Sequence, residues 1–243
     1  MCFSVQIDKN IKNLAKRFHS GIDVKAFHHL KDMRNYASSL ETEELKNIMG
    51  LKRKPKTELF KTPEEDGRVY PGYFAPVITL SREGRCILPM RYRVRPSGSS
   101  EEIPSKYNVF NARIDSLEKR QTWSNLFMSN HGIFPFIKFF EWVEHRGRKE
   151  LINFSPDEYE VMWAPCLWDF WKSKDENIFF HSFALITDDP PKEIEERGHD
   201  RCPIFLKEDH IDSWLNPKGK SREEVYSLLK NIHDPHYSYE WAS

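Results

Sequence analysis

The chain has 243 residues, 39% of them hydrophobic, enough to bury a sizeable core in one large domain or two small ones. Thirty-seven basic residues balance thirty-seven acidic ones, so no global field draws the protein to a polyanion, and any nucleic-acid contact must come from a local patch. No stretch approaches the roughly 18 apolar residues of a membrane span, and the polar start MCFSVQIDKNIKNLAKRF carries no secretory signal.

In chain order, apolar residues at helical spacing predict helices in NIKNLAKRF and DVKAFHHLKDMRNYASSL. A third follows in ETEELKNIMGL, with Thr42 as its cap and Gly50 near its end. The segment from about 10 to 50 is therefore helical and polar. From about Val69 the pattern turns to short apolar and aromatic runs broken by Pro, Gly and Asp, which read as strands: VYPGYFAPVITL, RCILPMRYRV, IFPFIKFFEWVEH, ELINFSP, VMWAPCLWDFW and NIFFHSFALIT. A helix is expected in SLEKRQTWSNLFMSNH, and late helices in KEDHIDSWLN and SREEVYSLLKNI. The Ser- and Pro-rich stretch from Arg95 to Asn108 reads as a long surface loop, since strand-like residues flank it. The sum is an α+β fold: a single domain over residues 1–243, with a central antiparallel, barrel-like β-sheet flanked by helices.

Cys2, Cys86, Cys166 and Cys202 are scattered without the spacing of a metal site, and no phosphate loop, dinucleotide fingerprint or zinc helix is present, so neither metal nor cofactor is expected. Cys2 stands directly behind Met1; removal of Met1 would leave an α-amine and a thiol on one residue. In VFNARIDSL, Asn111 and Arg113 share one face of an extended segment, a donor–acceptor amide beside a forked cation, although a turn Asn beside a surface Arg gives the same pattern. Glu141 interrupts the apolar run FIKFFEWVEH on the face of Phe139 and Val143. There it is either a desolvated acid with a raised pKa or an edge-strand residue reaching water. His199 and Asp200 lie in a loop before an apolar strand, a natural place for a proton shuttle, and Thr187 ends a strand. Three short basic runs, Lys52 to Lys56, Arg91 to Pro96 and His145 to Lys149, are candidate patches or ordinary solvated surface.

The order Cys2, FNAR (Phe110 to Arg113), FFEW (Phe139 to Trp142), WAPCLW (Trp163 to Trp168), FALIT (Phe183 to Thr187) and HDRCP (His199 to Pro203) resembles the SOS-response-associated peptidase family, whose members process abasic sites and crosslink to DNA. The resemblance runs from residue 2 to about Leu215. It implies a cleft around the processed N-terminus, with Cys2 as nucleophile, Asn111 and Glu141 flanking it and His199 transferring protons. Arg113 would hold a DNA phosphate, with Pro71, Thr187 and Arg201 as further DNA contacts. The implied partner is single-stranded DNA containing abasic sites, bound by a monomer in the cytoplasm or on the nucleoid, with no membrane. Autoproteolytic exposure of the cysteine is a further implied activity; here only Met1 precedes it. Where the family usually begins Cys-Gly-Arg this chain has Cys2, Phe3 and Ser4, and Lys138 replaces a glycine before the aromatic-Glu-Trp segment. Two other classes fit parts of the pattern: an N-terminal-nucleophile thiol amidohydrolase acting through Cys2, and a non-catalytic single-strand binder using the Arg91 to Arg95 patch.

Overall fold

The front third forms the helices its spacing predicts. In the computed structural model, which describes residues 3–55 and 58–242, β1 (Ser4–Gln6) leads into α1 (Ile11–Arg17), β2 (Gly21–Ile22), α2 (Val24–Ser39) and α3 (Thr42–Met49). The Asn10 and Asp23 side chains cap α1 and α2 by accepting from Asn13 N–H and Ala26 N–H. Thr42 is the first residue of α3, not its cap; Glu41 holds the cap position without a side-chain bond. Gly50 ends α3 in the left-handed region at φ 60°, as a C-terminal glycine is expected to do.

Strands dominate thereafter: β3 (Arg68–Val69), β4 (Phe74–Ser81), β5 (Gly84–Tyr92), β6 (Asn111–Arg113), β7 (His131–Phe136), β8 (Lys138–His145), β9 (Arg148–Pro156), β10 (Met162–Lys172), β11 (Phe179–Asp188), β12 (Cys202–Pro203) and β13 (Tyr237–Trp241). Between them lie α4 (Gln121–Ser124), α5 (Lys192–Glu195), α6 (Ile211–Leu215) and α7 (Arg222–Lys230). The helix expected over 116–131 shrinks to the four residues of α4 and a series of turns, through which Trp123, Leu126 and Phe127 still reach the core. The capping box of Ser221 and Glu224 starts α7 as read from the sequence.

Strands β11, β10, β7, β4 and β5 pair in that order, and β5 returns to β11, so five strands close a barrel. Four of its seams are antiparallel, but the closing one is parallel, with His181, Ser182 and Phe183 beside Met90, Arg91 and Tyr92. Closure removes the exposed edges that an open sheet would leave. Pro76 and Pro89 oppose each other in β4 and β5, where the next strands pair only at Ile78 on one side and at residues 86–87 and 90–92 on the other, so neither missing N–H interrupts a ladder.

The second sheet has the order β13, β9, β8, β1, β3, all antiparallel. Its inner residues Val5, Val69, Phe139 and Phe154 share one core with Ile78, Phe134, Leu167 and Phe183 of the barrel and with Trp214 and Leu229 of the late helices. A smaller cluster packs α2 and α3 on the barrel through Leu30, Met33, Met49, Phe74, Trp171 and Phe180. Among the described residues no helix is long and apolar enough to cross a membrane.

Candidate active site

Residue alternation in β8 decides the position of the acid. Phe139, Glu141 and Val143 face inward while Trp142 and Glu144 face out, so Glu141 is 1% exposed between apolar neighbours. A lone carboxylate there would carry a large desolvation cost. Glu141 instead meets His199, whose Nε2 lies 2.9 Å from its Oε2, with the imidazole also buried. Burial pushes the Glu141 carboxyl above its ordinary range, and the bond and charge of His199 oppose that rise.

Gly198, at φ 88°, turns the chain out of α5 and delivers His199 to this partner. The other ring nitrogen, Nδ1, is 2.8 Å from the Arg201 carbonyl and 3.3 Å from the Arg201 N–H. A carbonyl oxygen only accepts, so the shorter contact places a proton on Nδ1. Nε2 then shares one proton with Glu141, and the pair can give or take a proton without moving either side chain.

Strand β1 lies against β8 with Ser4 opposite Phe140, and Phe3 N–H donates to the Phe140 carbonyl at 3.0 Å. Strand β1 therefore begins one ladder position from Glu141. Cys2 lies outside the described residues. Ser4 is fully buried and accepts from Arg68 Nε at 2.8 Å, and the Arg68 guanidinium covers the Phe140 ring at 3.2 Å. The residue that replaces the family's arginine thus anchors an arginine from another strand.

Asn111 and Arg113 do lie on a strand, β6, which runs parallel to β11 with Leu185 beside Asn111 and Thr187 beside Arg113. Asn108 accepts from the Asn111 N–H at 3.1 Å and fixes the entry to β6. The Tyr92 hydroxyl donates to Asn111 Oδ1 at 3.0 Å and so sets the orientation of the amide. Pro71 sits in the turn between β3 and β4, next to Gly72, whose N–H donates to the Tyr92 carbonyl at 2.7 Å. Thr187 is fully buried opposite Pro203, and its hydroxyl has no hydrogen-bond partner among the described residues.

Asn111, Arg113 and Arg201 line one cleft of about 430 Å³, together with Lys119 and Arg120. Arg113 is not a bare cation: Asp189 lies 3.0 Å from its Nη2 and Asp115 3.3 Å from its Nε. Lys119, Arg120, Tyr92, Asn108 and Arg68 all escaped the sequence reading. The doublet KR after FNAR was the one available signal, and the expected long helix hid it.

The Arg91 to Arg95 patch is corrected by the structure. Arg91 and Arg95 side chains are 10% and 0% exposed, and both pair with Glu102, at 2.8 and 3.5 Å. Arg93 donates to the carbonyls of Ile103 and Pro104. These three guanidiniums pin the 95–108 loop and form no nucleic-acid surface. Aromatic faces draw two of them inward, with the Arg91 guanidinium 4.8 Å from the Phe180 ring centre and that of Arg95 3.4 Å from Trp171.

The fold, a closed five-stranded barrel with a flanking sheet, is shared by a crystallised Bacteroides thetaiotaomicron protein. The TM-score is 0.69 at 19% identity, covering 100% of this chain and 92% of the other. The chain belongs to the SOS response associated peptidase (SRAP) family, whose model matches residues 1–242. Its relatives include the abasic site processing protein YoqW of Bacillus subtilis, 24% identical over 172 residues, 68% of this chain and 75% of YoqW. The abasic site processing protein HMCES of Pongo abelii is 24% identical over 198 residues, 70% of this chain and 56% of HMCES.

Proposed function

We propose that this protein processes abasic sites in single-stranded DNA by linking the N-terminal Cys2 covalently to the sugar aldehyde. The observation that carries the reading is the buried Glu141–His199 pair, 2.9 Å apart, one ladder position from the start of β1. The names of the relatives support the substrate class.

Loss of Met1 leaves an α-amine with a reference pKa of about 7.7 to 8.0, partly neutral at physiological pH. Its lone pair attacks the aldehyde carbon of the ring-opened deoxyribose; the nitrogen gives up both of its protons as the carbonyl oxygen takes up two and leaves as water, giving an imine. The Cys2 sulfur then adds to the imine carbon while its proton passes to nitrogen, closing a five-membered thiazolidine. One water is lost overall and nothing is oxidised or reduced. In this scheme Glu141, whose carboxyl burial pushes above its ordinary range, gives a proton to the sugar oxygen, and His199 carries protons between the intermediates. Asn111, held by Tyr92, orients the amine. Arg113 takes a DNA phosphate in exchange for Asp189, and Pro71 and Arg201 border the strand, while Thr187, fully buried, supports the wall behind Arg113. The protein acts as a monomer in the compartment that holds DNA.

A denaturing gel with an oligonucleotide carrying one abasic site tests the scheme. Wild-type protein gives a shifted, heat-resistant band and Cys2→Ala gives none. An unchanged band from Cys2→Ala would sink the proposal, and hydrolysis of an amide without DNA would assign Cys2 to an N-terminal-nucleophile hydrolase instead.

A further inference from the structure

The cations of the cleft fall into two groups. Arg113 is engaged by Asp115 and Asp189. Lys119, Arg120 and Arg201 also line the cleft, and among the described residues none of them has an ion pair. Lys119 and Arg120 are exposed in the turn that enters α4. Their acidic neighbour, Glu118, is turned away onto Arg222 and the Tyr226 hydroxyl and does not neutralise them. The formal charge of the whole chain is zero, so a group of unpaired cations in one concave site is a local departure that needs an anionic occupant.

Size and lining narrow that occupant. At about 430 Å³ the cleft matches sites that enclose a small organic unit, not a lone ion. Its uncharged polar lining, Asn108 and Ser116, suits sugar and phosphate oxygens, and Trp123, 2% exposed, is a wall with no face open for stacking a base. We infer that Lys119 and Arg120 form a second phosphate subsite, which grips the backbone of the nucleotide next to the one held at Arg113. This rests on the reading above that Arg113 meets DNA. It also assigns the two Arg113 carboxylates a consequence: a phosphate displacing Asp189 returns little, whereas one at Lys119 and Arg120 displaces only counterions, so this subsite supplies more of the salt-dependent affinity.

The test is fluorescence anisotropy with an undamaged single-stranded oligonucleotide across a salt series, on full-length wild type, K119Q/R120Q and, as a control, R53Q/K54Q in the other exposed basic run. For K119Q/R120Q the slope of log K against log salt becomes shallower by at least about 0.7, the value of one released phosphate contact on a single strand, and the control keeps the wild-type slope. An unchanged slope in K119Q/R120Q, or an equal loss in the control, overturns the subsite. Adduct formation by wild type is scored separately. An adduct with an unchanged slope removes the subsite alone, and a changed slope with no adduct removes the crosslinking reading while the subsite stands.

Discussion

Glu141 was visible as the odd acid on an apolar strand face, and the structure resolves the ambiguity in favour of burial because the face it shares with Phe139 and Val143 turns into the core. Its pKa is raised above the ordinary 4.5, so the folded state binds that proton more tightly than the unfolded state does. Stability from this group is therefore full below about pH 4.5 and is lost as pH rises through the folded pKa. Glu141→Gln keeps the shape and a donor for His199 without that loss. Thermal unfolding should show the variant equal to wild type at low pH and increasingly more stable as pH rises, while adduct formation slows by about 10²-fold, the usual worth of a general acid. His199 stood out among ten histidines by its place in a loop before an apolar strand and by the HDRCP segment of the family resemblance. Nothing in the local sequence announces that a glycine turn delivers it to a strand residue 58 positions earlier (199 − 141).

At the scale of elements, apolar runs bounded by turn residues located the barrel strands well, since each buries side chains on a pleated surface with period two. Strand β13 escaped that reading, because only Tyr237 of its five residues is buried. The parallel seam between β5 and β11 escaped too, because pairing partners some ninety residues apart leave no local signal. The basic run Arg91 to Arg95, at and beyond the end of β5, misled for a related reason: its counter-charge, Glu102, lies in a loop that looked like surface. Replacing Glu102 by Gln leaves Arg91 and Arg95 buried without their carboxylate and should cost about 3 kcal/mol in urea denaturation, as breaking a buried pair usually does. The junction of β1 and β3 has its own constraint. Gly67 stands at φ 87°, and a Cβ there would lie 2.4 Å from the Ile7 carbonyl oxygen. Gly67→Ala should therefore lose at least about 1 kcal/mol, and, by shifting β1 along β8, reduce adduct formation as well, which equilibrium unfolding and the gel assay measure side by side.

For the whole molecule, one core spans the barrel and the second sheet, while α2 and α3 rest on a smaller cluster. Hydrogen exchange should follow this division, with β4, β10 and β11 most protected and the α2–α3 segment opening at lower free energy. Uniform protection across both would contradict it. In the proposed reaction β8 supplies the acid, β6 the amide and the loop before β12 the histidine, so the chemistry draws on elements far apart in the chain. Intact-protein mass spectrometry, before and after incubation with an oligonucleotide bearing one abasic site, is the decisive test of a Cys2 crosslink. The expected result is a chain lacking Met1 and a heat-stable adduct whose mass is the sum of the two partners less one water, absent from Cys2→Ala. A chain that begins at Cys2 yet forms no adduct, or an adduct of the same mass from Cys2→Ala, would contradict it.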